Sequence, residues 1–384
     1  MSTIKRSNYI DDIEILRAFA ILLVLFHHLK GMLLFLHIPY TGEIYTYVAG
    51  SRGVDLFFVI SGFVIARGLL PRLQETTASQ AFFQQSITFW IRRFWRLAHS
   101  AWLWLIIPTI LAIAFNQSGA FGTLKGNIAG LAAGFLNIYN LYFANVFKDV
   151  EYANSTFVHW TLSLEVQFYF VLPFIIFLAR KRLPLVLFIL VILQLIIFSK
   201  QWMIVLRTDG FFIGVLIAIW QQQHASYHDF KPAFLLHTGA RFLFISWLLG
   251  GLMVMSAKPY LCPGPYRLSI AAVISGIGVL AASYDQNCFV RTKWLKTVLL
   301  WVGSRSYAIY LIHIPVFYFM EEVYHRYFPD VRQHGQWLLL SIICCISCII
   351  LTCIISELNF RFIEEPFRKK GRMVARNYFD SRNQ

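Results

Sequence analysis

The chain has 384 residues, 58% of them hydrophobic and 14% charged, with a mean hydropathy of +0.60. No single core could hide so much apolar surface, so a soluble domain is excluded and an all-α, polytopic membrane protein is expected. The net charge of +15 and pI near 9.6 would suggest nucleic acid in a soluble chain. Here most basic residues sit in short loops and near the C-terminus, where they set topology, so the bilayer and not nucleic acid is the expected partner; some also suit an anionic lipid or substrate.

Ten apolar runs have spanning length: 13–36, 51–70, 97–115, 160–179, 184–199, 202–220, 236–256, 268–284, 298–320 and 337–357. The first is preceded by Asp11 and Asp12, holds Glu14 at its start, and is followed by no small-residue cleavage site, so it is expected to be retained as a helix. Within it, IEILRAFAILLVLFHHLKG carries Arg17 and His28 eleven residues apart. That spacing is three helical turns plus about 20°, so both side chains share one face roughly 16 Å apart along the axis. Two such groups on one stripe suggest a lined cavity. The competing reading is a snorkelling arginine and an ordinary interhelical hydrogen bond from the histidine.

The second run, GSRGVDLFFVISGFVIA, carries Asp55, and ahead of the third lies FWIRRFWRLA. There Arg92 and Arg96 share a helix face with Arg93 beside them, a triplet able to hold phosphates through guanidinium forks while Trp90 and Trp95 stack on a purine. A plain cytoplasmic anchor with interfacial tryptophans competes with that reading. Segment 127–144 is a weaker candidate, rich in Gly and Asn and bounded by Lys125 and Lys148. With ten spans and the N-terminus inside, the cytoplasm receives Lys5 and Arg6, then Arg72 with the triplet, then Arg180, Lys181 and Arg182, then Arg291, Lys293 and Lys296, and finally the basic tail. A full crossing at 127–144 would turn every later cluster outward, so this segment is expected to be re-entrant or interfacial.

HWTLSLEVQFYF places Glu165 one to two turns inside the outer end of its span, and LRTDGFFIG places Arg207 at comparable depth. Glu165 could partner His28 or Arg207 or orient an acceptor hydroxyl, and a structural salt bridge among His28, Asp55, Glu165 and Arg207 competes. The ninth run contains YAIYLIHIPVF, with Tyr310 and His313, more polar than a lipid-facing helix needs. In the tenth, Cys344, Cys345, Cys348 and Cys353 read as small hydrophobes with no ligand partners at metal spacing, so no metal is expected. Depth sorts the charges: Arg17, Arg92, Arg93, Arg96 and Arg305 toward the inner face, and His28, Asp55, Glu165 and Arg207 in the outer half. A ligand with phosphates inside and a reactive end about three helical turns above would fit, and coenzyme A has that shape. No repeat and no soluble domain is evident, so residues 1–360 form one transmembrane domain and 361–384 a basic cytoplasmic tail.

The segments LRAFAILLVLFHH, GVDLFFVISGFVIA, RRFWRL, HWTLSLEVQFYF, YAIYLIHIPVF and IEEPFRKKG resemble, in order and spacing over nearly the whole chain, the acyltransferase 3 family of membrane O-acyltransferases. The resemblance implies about ten membrane helices and transfer of an acyl group, usually acetyl from cytoplasmic acetyl-CoA, to a sugar or other hydroxylated acceptor at or beyond the membrane. It also implies that His28 is the essential histidine, Arg17 its paired arginine, and Arg92, Arg93 and Arg96 residues of the acyl-donor site. Glu165 stands in the family's Ser-Leu-x-x-Glu context, although Val166 follows where a second Glu is frequent. The esterase-like extension of some members is not among these residues, which leaves acceptor choice less determined.

The function expected is therefore an O-acetyltransferase of the plasma (inner) membrane, with both termini cytoplasmic. It would use acetyl-CoA as co-substrate, no permanently bound cofactor, and a glycan or lipid-linked glycan acceptor. His28 would be general base toward the acceptor hydroxyl, with Asp55 or Glu165 fixing its tautomer, Arg17 and the triplet holding the donor, and Arg207, Tyr310 and His313 facing the acceptor. An acyl-histidine relay stays open beside direct transfer. The alternative function is a transporter or exporter of an anionic glycan precursor, which would commonly show paired repeats with broken helices, and none is found.

Overall fold

The computed structural model describes residues 9–35, 40–74, 76, 78–146, 149, 151, 154–197, 207–257, 266–328 and 337–382. Lys5, Arg6, Lys148 and part of the 202–220 run lie outside the described residues. The described chain is helical, without a strand and with one isolated bridge between Gly122 and Asn154. In chain order the helices are α1 (Asp11–Phe35), α2 (Thr41–Tyr47), α3 (Gly53–Leu73), α4 (Ser79–Ala114), α5 (Leu124–Phe135), α6 (Tyr139–Val146), α7 (His159–Ala179) and α8 (Leu183–Ile197). There follow α9 (Asp209–Gln223), α10 (Thr238–Ser256), α11 (Tyr266–Ser283), α12 (Lys293–Ser304), α13 (Ser306–Tyr327), α14 (Trp337–Asn359) and α15 (Glu365–Ser381). By length and composition, six described stretches can cross a membrane: 11–33, 53–73, 79–114, 238–256, 266–283 and the continuous rod 341–381. The protein is an all-α polytopic membrane protein; this count does not reach the ten runs of the sequence reading.

The centre of the bundle is α1, α3 and α9. Their backbones approach closely because glycine removes the side chain where they cross: a Cβ on Gly62 would collide with the Phe211 backbone, and one on Gly214 with Val59 and Phe63. Small residues at helix crossings let dispersion act between backbones, the main attraction left when the solvent is itself apolar. α1 is fixed at its start by Asp12, whose carboxylate accepts from Cys288 N–H at 2.9 Å and whose own N–H donates to Asp285 at 3.2 Å.

Segment 127–144 folds as two short helices, α5 and α6, broken at Asn137, whose φ is 54°. At 12 and 8 residues they rise about 18 and 12 Å, too little for either to cross a hydrocarbon core of roughly 30 Å. The break is pinned to α7: Gln167 donates to the Asn137 carbonyl at 2.8 Å, and Tyr139 N–H donates to Ser163 Oγ at 3.1 Å.

Three boundaries differ from the sequence reading, each for a physical reason. The helix that holds the third apolar run, α4, begins at Ser79, not near 97, since arginines interrupt an apolar run without interrupting a helix that has partners along its length. The run 298–320 is two helices, broken at Arg305, whose guanidinium reaches Glu357 at 2.9 Å; α12 turns aside to lie against α1, with Gly303 on the Glu14 backbone. The segment after 360 does not trail away. A π-turn at Phe360–Glu364 joins α14 to α15, which packs along the first half of α4.

Candidate functional site

Where α1, α3, α4 and α15 meet, a cavity of about 460 Å³ is lined by a dense group of arginines. α1 contributes Arg17 and α4 contributes Arg92, Arg93 and Arg96, while α3 adds Arg67 and Arg72 and α15 adds Arg368 and Arg372. Glu14 is the one acid of this lining, and it holds Arg17 at 2.6 Å. Arg92, Arg93 and Arg96 make no ion pair among the described residues, and the buried Nε–H groups of Arg92, Arg96 and Arg368 have no acceptor. Unpaired guanidinium donors held side by side are costly unless an anion completes them, so the cavity has the chemistry of a polyanion site. At its mouth, burial first and Glu14 second push the Tyr9 phenol up to about 12, so it stays a neutral hydroxyl.

Arg17, Arg93 and Arg96 also form the floor of a second cavity of about 90 Å³ that runs deeper between α3, α4, α7 and α13. Glu165 lies here, accepting from Ser61 Oγ at 2.5 Å and from the Tyr169 hydroxyl. Arg93 sits over the rings of Tyr169 and Phe89, 5.5 and 5.4 Å from their centroids. At the far wall Tyr310 accepts from Thr161 Oγ at 2.8 Å and donates to the Val158 carbonyl at 3.1 Å. A third, mostly apolar pocket of about 190 Å³ between α4, α7 and the α5–α6 break shares Arg93 and Tyr169 with the second.

Beyond Tyr310 stand the histidines. The His313 ring is centred 5.8 Å from Tyr310 and 5.2 Å from His28, which also packs on Phe157 and His27. His313 Nδ1 lies 3.2 Å from the Ile309 carbonyl, which can only accept, so Nδ1 carries the proton and Nε2 keeps its lone pair. That Nε2 is buried without a partner.

The residues singled out from sequence therefore fall into four places. Arg17, Arg92, Arg93 and Arg96 line the cavities; Glu165 joins them, and Tyr310 lies between them and the His28–His313 pair. The depth sorting, which put Glu165 with His28 and away from the arginines, is corrected: the early start of α4 sets Arg93 and Arg96 in mid-helix, level with Glu165. Asp55 and Arg207 stand elsewhere. They form a buried ion pair with each other, with Arg52 3.6 Å from the same carboxylate, and Asp209 beside them accepts from Ser269. Arg305 pairs with Glu357 and stacks on Phe360 at 4.2 Å, away from the cavities. The tryptophans proposed for a purine are engaged in packing: Trp90 donates to the Tyr169 carbonyl and stacks on Phe170, and Trp95 lies between His99, Phe367 and Lys370. Sequence reasoning missed Ser61, Tyr169, Arg368 and Arg372. Of these, Tyr169 carried a usable signal, since it stands four residues after Glu165 on the same helix face.

Comparison with known proteins adds a family and relatives. The family profile of the acyltransferase domain matches residues 10–357. The peptidoglycan O-acetyltransferase OatA of Listeria monocytogenes is 27% identical over 398 aligned positions, covering 97% of this chain and 57% of that protein. A Bacillus subtilis protein, YrhL, provisionally named a peptidoglycan O-acetyltransferase, is 27% identical over the same shares of each chain. A Staphylococcus aureus protein provisionally named an O-acetyltransferase is 26% identical over 96% of this chain and 58% of its own. The chain thus spans a little under three-fifths of the length of these relatives. No solved structure matches it significantly.

Proposed function

The chain belongs to the acyltransferase family whose profile it matches over residues 10–357, and from that premise we propose that it is an O-acetyltransferase carrying acetyl from cytoplasmic acetyl-CoA to a glycan hydroxyl on the outer side of the plasma membrane. The observation that carries this reading is the succession of an arginine cavity, a polar chamber and a histidine pair separated from it by Tyr310. The names of the relatives support acetyl as the group and a glycan as the acceptor. An exporter would not account for the family.

In the proposed reaction the arginines hold the donor phosphates and the pantetheine arm runs through the chamber past Tyr310. His28 takes the proton of the acceptor hydroxyl as its oxygen attacks the thioester carbonyl. The carbon–sulfur bond breaks, and the thiolate leaves with the proton that His28 returns. A positioned base of this kind supplies on the order of 10²–10⁴ in rate. His313, with Nδ1–H tied to Ile309, packs its ring 5.2 Å from that of His28 and so limits how the His28 ring can turn. Glu165 keeps the arginine end of the chamber in register through Ser61 and Tyr169.

The test is mass spectrometry of surface glycans and membrane lipids with and without the gene product, paired with thiol release from acetyl-CoA by the purified protein. An acetyl-sized increment lost with the gene product and with His28→Ala is expected. Unchanged glycans and lipids, with no thiol release, would overturn the reading.

A further inference from the structure

The family profile ends at residue 357, yet the cavity wall does not. We propose that the C-terminal helix α15 is an integral wall of the donor site and that Arg368 and Arg372 contact the nucleotide phosphates of the acyl donor. This rests on the reading of the arginine cavity as the CoA site and extends it to a helix beyond the residues matched by the family profile.

Four observations carry it. First, α15 is docked antiparallel on α4 at successive points: Gln84 donates to the Phe379 carbonyl at 3.0 Å, Gly371 rests on Trp95, and Phe367 stacks on His99 with centroids 3.7 Å apart. Second, the Gly371 contact is so close that a Cβ there would collide with Trp95 Cβ, so the absence of a side chain sets the distance between the two helices. Third, Arg368 and Arg372 are one helical turn apart and share a face, and both line the cavity with the arginines of α1, α3 and α4. Fourth, Arg368 is held toward Glu365 while its buried Nε–H has no acceptor, a donor already oriented and unused. Glu365 is within reach of Arg368, Lys369 at 3.6 Å and Arg372 at 3.9 Å alike, but Lys369 does not line the cavity, and Arg376, mostly exposed, pairs with Asp380. A helix that only coated an anionic lipid surface would have no need to place two of its arginines in the lining of a cavity shared with α1, α3 and α4.

Equilibrium binding of CoA to the purified full-length protein in lipid-free detergent tests this. Arg368→Ala and Arg372→Ala together should weaken CoA by about ten- to a hundredfold, the equivalent of one or two charge-assisted hydrogen bonds. Lys369→Ala with Arg376→Ala, which removes the same charge from the same helix, should leave CoA affinity within about twofold. Thiol release from S-acetylpantetheine, which lacks the phosphates, should be the same in wild type and in Arg368→Ala/Arg372→Ala. A fall there as well would mean the helix supports the fold only, and the proposal fails. If Arg92→Ala/Arg96→Ala loses CoA while Arg368→Ala/Arg372→Ala binds it normally, the donor site stands and the part assigned to α15 is wrong. Wild-type protein that does not bind CoA removes both.

Discussion

The molecule holds two groups of buried and half-buried arginines, and they are built in opposite ways. Around Asp55, the cations have a carboxylate in reach: Arg207 pairs with Asp55, Arg52 lies 3.6 Å from the same group, and the Arg207 and Asp55 side chains are 8% and 1% exposed. Around the cavity, Arg92, Arg93 and Arg96 stand within two turns of one helix with no ion pair among the described residues. A fold cannot hold cations together at no cost, so a group whose arginines outnumber the carboxylates beside them, here Glu14, Glu165 and Glu365, suits a ligand that brings further negative charge, while a neutralised group serves the fold. Charge and depth alone do not separate the two, because both lie in the apolar part of the chain. The partners do.

The largest effect should come from breaking the neutralised group. Asp55→Ala leaves Arg207 and Arg52 buried without their carboxylate, a loss of about 3–5 kcal/mol for a buried pair cut on one side. The protein should melt earlier or fail to accumulate, with or without CoA present. Full stability and full activity in this variant would mean that the contrast between the groups is drawn in the wrong place. His28→Ala comes next: acetyl transfer should fall at least about a hundredfold while CoA affinity stays, since the proposed base and the proposed phosphate site are distinct. His27→Ala, about 100° around the helix, should retain most activity. A folded His28→Ala protein that still transfers acetyl near the normal rate would make Glu165 the leading base.

Breaking the cavity group should give the reverse of Asp55→Ala. Arg96→Ala should cost about 1.5–3 kcal/mol in CoA binding, the range of a charge-assisted bond, without lowering the melting temperature of the ligand-free protein. Arg96→Lys should recover part of the loss, because an ammonium lacks the fork. Equal destabilisation of free and CoA-bound protein would place Arg96 in the fold and not at the ligand.

How far the sequence alone reached follows the same division. Arg17 and His28 on one face, and Arg92 with Arg96 on another, follow from helical spacing, which needs no tertiary information. The Asp55–Arg207 pair was one of several pairings open among four charged residues; choosing it required knowing that α3 and α9 touch through Gly62 and Gly214. Glu165 was set at the wrong end of the site because hydropathy marks where side chains are apolar, not where a helix begins, and α4 begins well before its apolar stretch. The arginines of α15 were hidden for a different reason. They read as a basic tail, and only the contact of Gly371 with Trp95 turns that tail into a wall. The break at Arg305 was also invisible to hydropathy, since it is set by an ion pair to Glu357 on another helix.

The smallest effect should lie on the boundary between the two cavities. Tyr169→Phe removes one of the two hydroxyls donating to Glu165 and leaves Ser61, 2.5 Å away, in place. It keeps the aromatic ring under Arg93, which supports the guanidinium through the ring face and not through the phenol oxygen. The expected cost is therefore that of one hydrogen bond, about 1 kcal/mol in stability, with CoA affinity changed by less than about threefold. Tyr169→Leu removes the ring as well, so Arg93 loses its platform and CoA affinity should fall further than in Tyr169→Phe. If the Phe variant alone costs tenfold or more in CoA affinity, the hydroxyl pair on Glu165 is part of the donor site, and the division between a phosphate-binding cavity and a chamber that merely guides the pantetheine arm has to be given up.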